Sequence, residues 1–124
     1  AFDQLASFEH EDYSKVEIQQ LQLAKEIAAE EFNPPPTIKQ IAMKVGTNES
    51  KLKYGFKSLF GETIFQYRNR HRMKKAMGML EEGVSIGLVS EQVGYQHHTS
   101  FTNAFKSYYG INPKDCRKIS PSRK

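Results

Sequence analysis

The sequence predicts an all-α chain of about seven helices, arranged as two helix-turn-helix subdomains joined by a long linker helix. Three observations predict it. The second half of the chain restates the first, each copy shows two short apolar periodicities separated by a glycine, and a longer helical stretch lies between the copies. Phe56-Lys57-Ser58-Leu59-Phe60-Gly61 returns as Phe105-Lys106-Ser107-Tyr108-Tyr109-Gly110, a shift of 105 − 56 = 49. Upstream, Ile38, Ile41 and Val45-Gly46 return as Ile86, Val89 and Val93-Gly94, a shift of 94 − 46 = 48, so the second copy holds one extra residue after its glycine.

Each element has its own signals. Ser14-x-x-Glu17 reads as a capping box, in which serine oxygen and glutamate satisfy free N–H groups at a helix start. Leu21, Ala24, Ile27 and Ala28 follow as one apolar stripe, and Pro34-Pro35-Pro36 ends the helix. Thr37 with Gln40 caps the first helix of the first motif, whose buried positions are Ile38, Ile41, Ala42 and Val45, with Gly46 as the stop. Asn48 starts the second helix, with Leu52, Phe56 and Leu59/Phe60 inward and Gly61 at its end. Thr63 with Gln66 opens the linker helix, expected to run about nineteen residues, roughly 28 Å at ~1.5 Å each, to Glu82, with Gly83 beyond. In the second copy Ser85 is the cap, with Val84 as its hydrophobic staple. Its helices bury Ile86, Val89 and Val93, then Phe101, Phe105 and Tyr108/Tyr109. The resulting organisation is a linker over 1–13 from a part upstream, subdomains over 14–61 and 84–119, a linker helix over 62–83 and a disordered tail over 120–124.

Charge is divided along the chain. Residues 1–36 carry 2 basic and 8 acidic residues, so 2 − 8 = −6, while residues 37–124 carry 16 and 6, so 16 − 6 = +10. A basic body behind an acidic leader suits a polyanionic partner. A membrane surface would attract the same sign, but the basic residues are scattered and do not oppose a broad apolar face. No apolar stretch approaches the roughly 18 residues of a membrane span, and no secretion signal is present. Cys116 is the single cysteine and cannot close an internal disulfide, which fits a reducing cytosol, so a cytoplasmic location is expected.

Two polar faces carry the candidate chemistry. In the first copy Ser50, Lys53, Tyr54 and Lys57 share one face; in the second, His98, Thr99, Thr102 and Asn103 do, with Lys106 farther along. Lysine can donate to guanine O6 and N7, asparagine pairs with adenine N6 and N7, and threonine methyls suit thymine. Lys57 and Lys106 are placed for phosphate. The alternative for each face is simple solvation. The expected partner is double-stranded DNA, with the second helix of each motif entering successive major grooves about 34 Å apart. A rival reading is a helical protein-interaction module that docks on the transcription machinery with little DNA affinity of its own. His97-His98 does not make a metal site, because neighbouring helical residues diverge by about 100° and no second ligand pair completes it. The basic run Arg68 to Lys75 points several ways; solvation accounts for most of it, phosphate contact or pairing with Glu81 or Glu82 for part, with a structural role open for Arg72. There is no phosphate-binding glycine loop, carboxylate pair or nucleophile with a base, so no catalytic residue, cofactor or metal is expected.

These residues resemble the C-terminal DNA-binding domain of AraC/XylS-type transcription regulators over about residues 14–119. Gly94-Tyr95, Ser100-Phe101, Phe105-Lys106, Gly110-Ile111-Asn112-Pro113 and Arg117 are similar to its signature. Arg72-Met73, Ala76 and Leu80 are similar to its linker helix. Lys51-Leu52-Lys53, Gly55-Phe56, Thr63-Ile64-Phe65 and Tyr67 resemble a siderophore-responsive subgroup. The resemblance implies base reading at Ser50, Lys53 and Tyr54. The acidic leader suggests attachment to an upstream effector-binding domain, and RNA polymerase is an expected partner. The family often has arginine where Asn103 stands and an aromatic where Cys116 stands. These departures imply altered base reading and slacker packing in the second copy, leaving more of the specificity to the first.

Overall fold

The computed structural model describes residues 13–119, with side chains through Cys116. Apart from Tyr13, the expected leader and tail lie outside the described residues. Seven helices are described: α1 Lys15–Glu30, α2 Ile38–Val45, α3 Glu49–Phe60, α4 Ile64–Glu81, α5 Ile86–Gln92, α6 His98–Tyr109 and α7 Pro113–Ile119. None is long and apolar enough to cross a membrane.

The helix starts follow from side chains three residues apart. Ser14 and Glu17 form a reciprocal box with N···O distances of 2.9 and 3.1 Å. Thr37 with Gln40 and Thr63 with Gln66 repeat it at 2.9–3.0 Å. Asn48 Oδ1 accepts from Lys51 N at 2.9 Å, and Ser85 Oγ from Leu88 N at 3.3 Å. Thr37→Ala is expected to cost about 1 kcal/mol, as loss of an N-cap does; thermal melting of the variant checks it.

The chain forms two compact units. Unit 1 comprises α1, α2, α3 and the start of α4, with the boundary between Arg68 and Asn69. Its core is Leu21, Ala24, Ile27, Ala28, Ile41, Ala42, Val45, Leu52, Phe56 and Ile64. A Cβ on Gly55 would lie 3.0 Å from Leu21 Cδ1, so a residue without a side chain lets α3 lie close over α1. Lys25 covers the aromatic edge of this core, its Nζ 4.4 Å from the Phe60 ring centroid, a cation–π contact.

Unit 2 holds the rest of α4, α5, α6 and α7, together with the four residues Phe32–Pro35. Met73, Ala76, Leu80, Val89, Val93, Phe101, Phe105 and Cys116 form its core. An aromatic chain runs through it, with ring centroids 5.8 Å apart for Tyr95–Phe101, 5.7 Å for Phe101–Phe105 and 4.8 Å for Phe105–Tyr109. Cys116 is buried with its Sγ 3.1 Å from Met77 Sδ, and burial pushes its thiol pKa up.

Several details differ from the sequence expectation, among them Leu59 and Phe60 of α3, which are only partly buried. The linker helix is eighteen residues long and ends at Glu81, one turn-forming residue earlier than expected. Ile86 is only partly buried, whereas Ser90 on the same helix is fully so. Tyr108 is exposed while Tyr109 packs on the core, because adjacent helical residues point about 100° apart and only one can follow Phe105 inward. Phe32 is buried at 4% exposure, although the proline-rich segment that contains it reads as a simple helix stop.

Candidate nucleic-acid interface

In both units the start of the motif's second helix is exposed to solvent. Asn48, Glu49, Ser50 and Lys51 at the start of α3 are all exposed, and so are His97, His98, Thr99 and Ser100 at the start of α6. The N-cap and the first three helical residues are thus exposed in each, and the fourth, Leu52 or Phe101, is buried. From there each helix buries one stripe, Leu52 and Phe56 in α3 and Phe101 and Phe105 in α6, which anchors the exposed end.

The sequence-predicted residues sit on these helices as follows. Ser50, Lys53, Tyr54 and Lys57 are exposed on α3, Tyr54 at 74%. Lys53 Nζ lies 3.2 Å from Glu49 Oε2. An exposed i,i+4 pair of this kind holds its partners by about 0.3–0.5 kcal/mol, so the ammonium exchanges partner easily. On α6, His98, Thr99, Asn103 and Lys106 are exposed, and Thr102 is half-buried. His98 and Thr102 form one wall of an open groove of about 490 Å³ whose other side is Ile86, Gly87, Pro113 and Lys114. His97 occupies the N-cap of α6 without a side-chain capping bond. Among the described residues no three His, Cys, Asp or Glu side chains come together as a metal site would require.

Within the basic run, Arg72 has the structural role that the sequence left open for it, and Arg68 has one as well. Arg68 is buried and its guanidinium donates to the carbonyl of Pro36 within unit 1. Arg72 Nε donates to the carbonyl of Val93 at 2.8 Å within unit 2, and its Cζ lies 4.1 Å from the Tyr95 ring centroid. Burial lowers the Arg72 pKa, and the Tyr95 hydroxyl counters this. The run Arg68 to Lys75 is therefore partly internal. Carbonyl acceptors 32 and 21 residues away leave no local signature, so periodicity could not have found these bonds.

Two short-helix motifs, each with a second helix exposed at its start and anchored by one buried stripe, define a helix-turn-helix class of protein. A family model described as "Helix-turn-helix domain" matches residues 21–119. The chain belongs to this family, the AraC-type helix-turn-helix domain of transcription regulators. A response regulatory protein of Staphylococcus epidermidis is 28% identical over 120 residues, covering 97% of this chain and 45% of that protein. The chain thus spans less than half the length of that relative. The C-terminal domain of the two-component response regulator yesN from Fusobacterium nucleatum superposes with a TM-score of 0.73 at 30% identity, over 77% of this chain and 95% of that one. The DNA-binding domain of AdpA, solved in complex with a target DNA, shares the fold with a TM-score of 0.69 at 19% identity, over 90% and 97% of the two chains.

Proposed function

We propose that this chain is the sequence-specific DNA-binding domain of a bacterial transcription regulator, with α3 and α6 reading successive major grooves. The observation that carries this is the pair of exposed helix starts at repeat-equivalent positions. Recognition helices meet base edges with their N-terminal residues, and these two starts present hydrogen-bonding side chains there. Ser50, Lys53 and Tyr54 read bases in the first half-site, and His98, Thr99, Thr102 and Asn103 in the second. Thr102, half-buried, contributes only through the part that faces the groove. Because the two sets differ, the half-sites differ, and the full site is an asymmetric direct-repeat-like one. The α4 helix of eighteen residues measures roughly 27 Å, close to the pitch of DNA.

Lys57 and Lys106 contact phosphate. Each is exposed in the last turn of its helix, and phosphate contacts supply most of the affinity and its salt dependence. Lys57→Ala and Lys106→Ala are each expected to lower the slope of log K against log salt by about one. Titration of labelled duplex at several salt concentrations measures it. A shallow slope unaffected by either change supports the rival, a module that docks on the transcription machinery.

In the whole protein an effector-binding or response-regulatory part lies upstream, RNA polymerase is the protein partner and the compartment is the cytoplasm. Within the family, Lys51-Leu52-Lys53, Gly55-Phe56, Thr63-Ile64-Phe65 and Tyr67 support a reading as one of the siderophore-responsive regulators. The test of the main reading is in vitro selection from a random duplex library. One asymmetric site with two unlike half-sites about one helical turn apart is expected. Enrichment of no sequence overturns the reading.

A further inference from the structure

The repeat extends farther back than the two motifs. Gln20, Leu21, Ala24 and Ala28 of α1 return as Arg72, Met73, Ala76 and Leu80 of α4, a shift of 72 − 20 = 52. Leu21, Ala24 and Ala28 are buried, as are Met73, Ala76 and Leu80. Each unit is therefore a three-helix repeat, in which α1 supports α2 and α3 as α4 supports α5 and α6. The shift falls from 52 to 48 between the supporting helix and the motif, so the first copy carries four more residues there. That is the length of Phe32–Pro35, the segment that belongs to unit 2.

Gln20 and Arg72 occupy the same place in this longer repeat, and they make the same kind of bond. Gln20 Nε2 donates to the carbonyl of Gly46 at 3.0 Å, and Arg72 Nε donates to the carbonyl of Val93 at 2.8 Å. Both acceptors stand where the first helix of the motif ends, among the carbonyls that a helix leaves without an internal partner. Immediately beyond, each turn is sealed by an equivalent backbone bond, Thr47 N to Ala42 O at 2.8 Å and Tyr95 N to Ser90 O at 3.0 Å. The recognition helix leaves from this turn. Its direction decides where the exposed side chains arrive, and hydrogen bonds to base edges weaken steeply when misaligned.

We propose that Gln20 and Arg72 are positioning residues for the two recognition helices: each ties the supporting helix to the turn of its own motif and so sets the aim of α3 and α6 respectively. This rests on the DNA-reading function above. The two ties are unequal. Gln20 makes one neutral bond, while Arg72 makes a charge-assisted bond and lies over Tyr95, which itself follows the turn glycine and packs on Phe101. The second recognition helix is thus held by a side chain whose head is fixed on two sides.

The test has two arms, both on the full chain. In the first, without DNA, amide hydrogen exchange is followed at Thr47 and Tyr95 by NMR. Gln20→Met raises the Thr47 rate about fivefold to tenfold, the effect of losing one hydrogen bond, and leaves Tyr95 unchanged. Arg72→Met does the reverse, and Arg72→Lys, which keeps a donor, restores most of the protection at Tyr95. General destabilisation would instead raise core amides such as Phe56 or Phe101 together with the turn, and that result overturns the proposal. If Arg72→Met does not fold, the half-exposed Gln20 position decides through Gln20→Met alone. In the second arm the probe is the duplex enriched by the unaltered chain. Gln20→Met relaxes base preference in one half-site and Arg72→Met in the other, each by about tenfold, within the range of a single mismatched base pair. Equal loss at both half-sites, or none, contradicts the assignment. If no duplex is enriched, the DNA-reading function fails while the exchange arm still decides the positioning role.

Discussion

Gly94→Ala is expected to destabilise unit 2 by about 3–5 kcal/mol, a large share of what holds a small domain folded. Two effects add. The backbone at Gly94 has φ +90, in the left-handed region where a side chain is strained by roughly 1–2 kcal/mol. A Cβ there would also stand 2.0 Å from the Phe32 carbonyl oxygen and 2.8 Å from Pro35 Cδ. The first of these is a backbone atom that no rotamer change can move aside, so the segment Phe32–Pro35 must leave its seat and expose the buried Phe32 ring. Gly110 separates the two effects. Its φ is +80 and nothing lies within 4 Å of where its Cβ would be, so Gly110→Ala meets the conformational cost alone, about 1–2 kcal/mol. Thermal melting compares the two variants. Labelling of Cys116 adds a local readout, because this buried thiol is the chain's only one. Gly94→Ala should melt well below Gly110→Ala and label faster; melting points within about 2 °C of each other would contradict the steric argument.

Phe101→Ala is the second large effect, expected at about 3–5 kcal/mol as for other fully buried aromatic truncations. The ring is completely buried and lies between Tyr95 and Phe105, with centroids 5.8 and 5.7 Å away. Its removal opens a cavity under the first turns of α6. Phe101→Leu retains most of the volume and should cost less than about 1.5 kcal/mol. Urea unfolding measures both. A loss under about 1 kcal/mol for the alanine variant would mean that the core closes over the gap, contrary to a rigid anchor for α6. Since unit 1 has its own core around Phe56, selectivity in the first half-site should survive the change.

Much of this architecture was readable in the chain because its determinants are local. Capping pairs lie three residues apart, so Ser14/Glu17, Thr37/Gln40 and Thr63/Gln66 located three helix starts before any packing was considered. The apolar stripes then identified the buried faces of α1, α3 and α6. Long-range features escaped for the opposite reason. Arg68 and Arg72 bond to carbonyls, and every residue has a carbonyl, so nothing marks Pro36 or Val93 as their acceptors. Pro34-Pro35-Pro36 read as a helix terminator; only the close approach of Phe32 and Pro35 to Gly94 shows why a phenylalanine precedes the prolines. The choice between Tyr108 and Tyr109 also needed the fold, because two adjacent aromatics offer the same apolar signal. At the candidate interface, helical periodicity grouped the polar residues correctly as faces, but it left Thr102 looking fully exposed. What periodicity could not supply was the exposure of the helix starts, which depends on what the rest of each unit leaves uncovered.

The repeat also gains a physical meaning from the supporting helices. A helix-turn-helix motif alone buries too little to hold its turn, and here each motif takes a third helix for its core and one side chain from that helix for its turn. The two units meet that need with different chemistry, a neutral amide in one and a guanidinium in the other. The proposed recognition faces differ as well, and an asymmetric site is what those differences predict.

The most direct test of two readers acting from one chain is a change of phase. With the selected duplex in hand, five base pairs, about half a helical turn, are inserted between the half-sites and affinity is measured at fixed salt. If α3 and α6 must meet major grooves on one face of the DNA, binding falls to the level of unrelated duplex, because the second half-site now faces away. Affinity unchanged by the insertion would contradict the account.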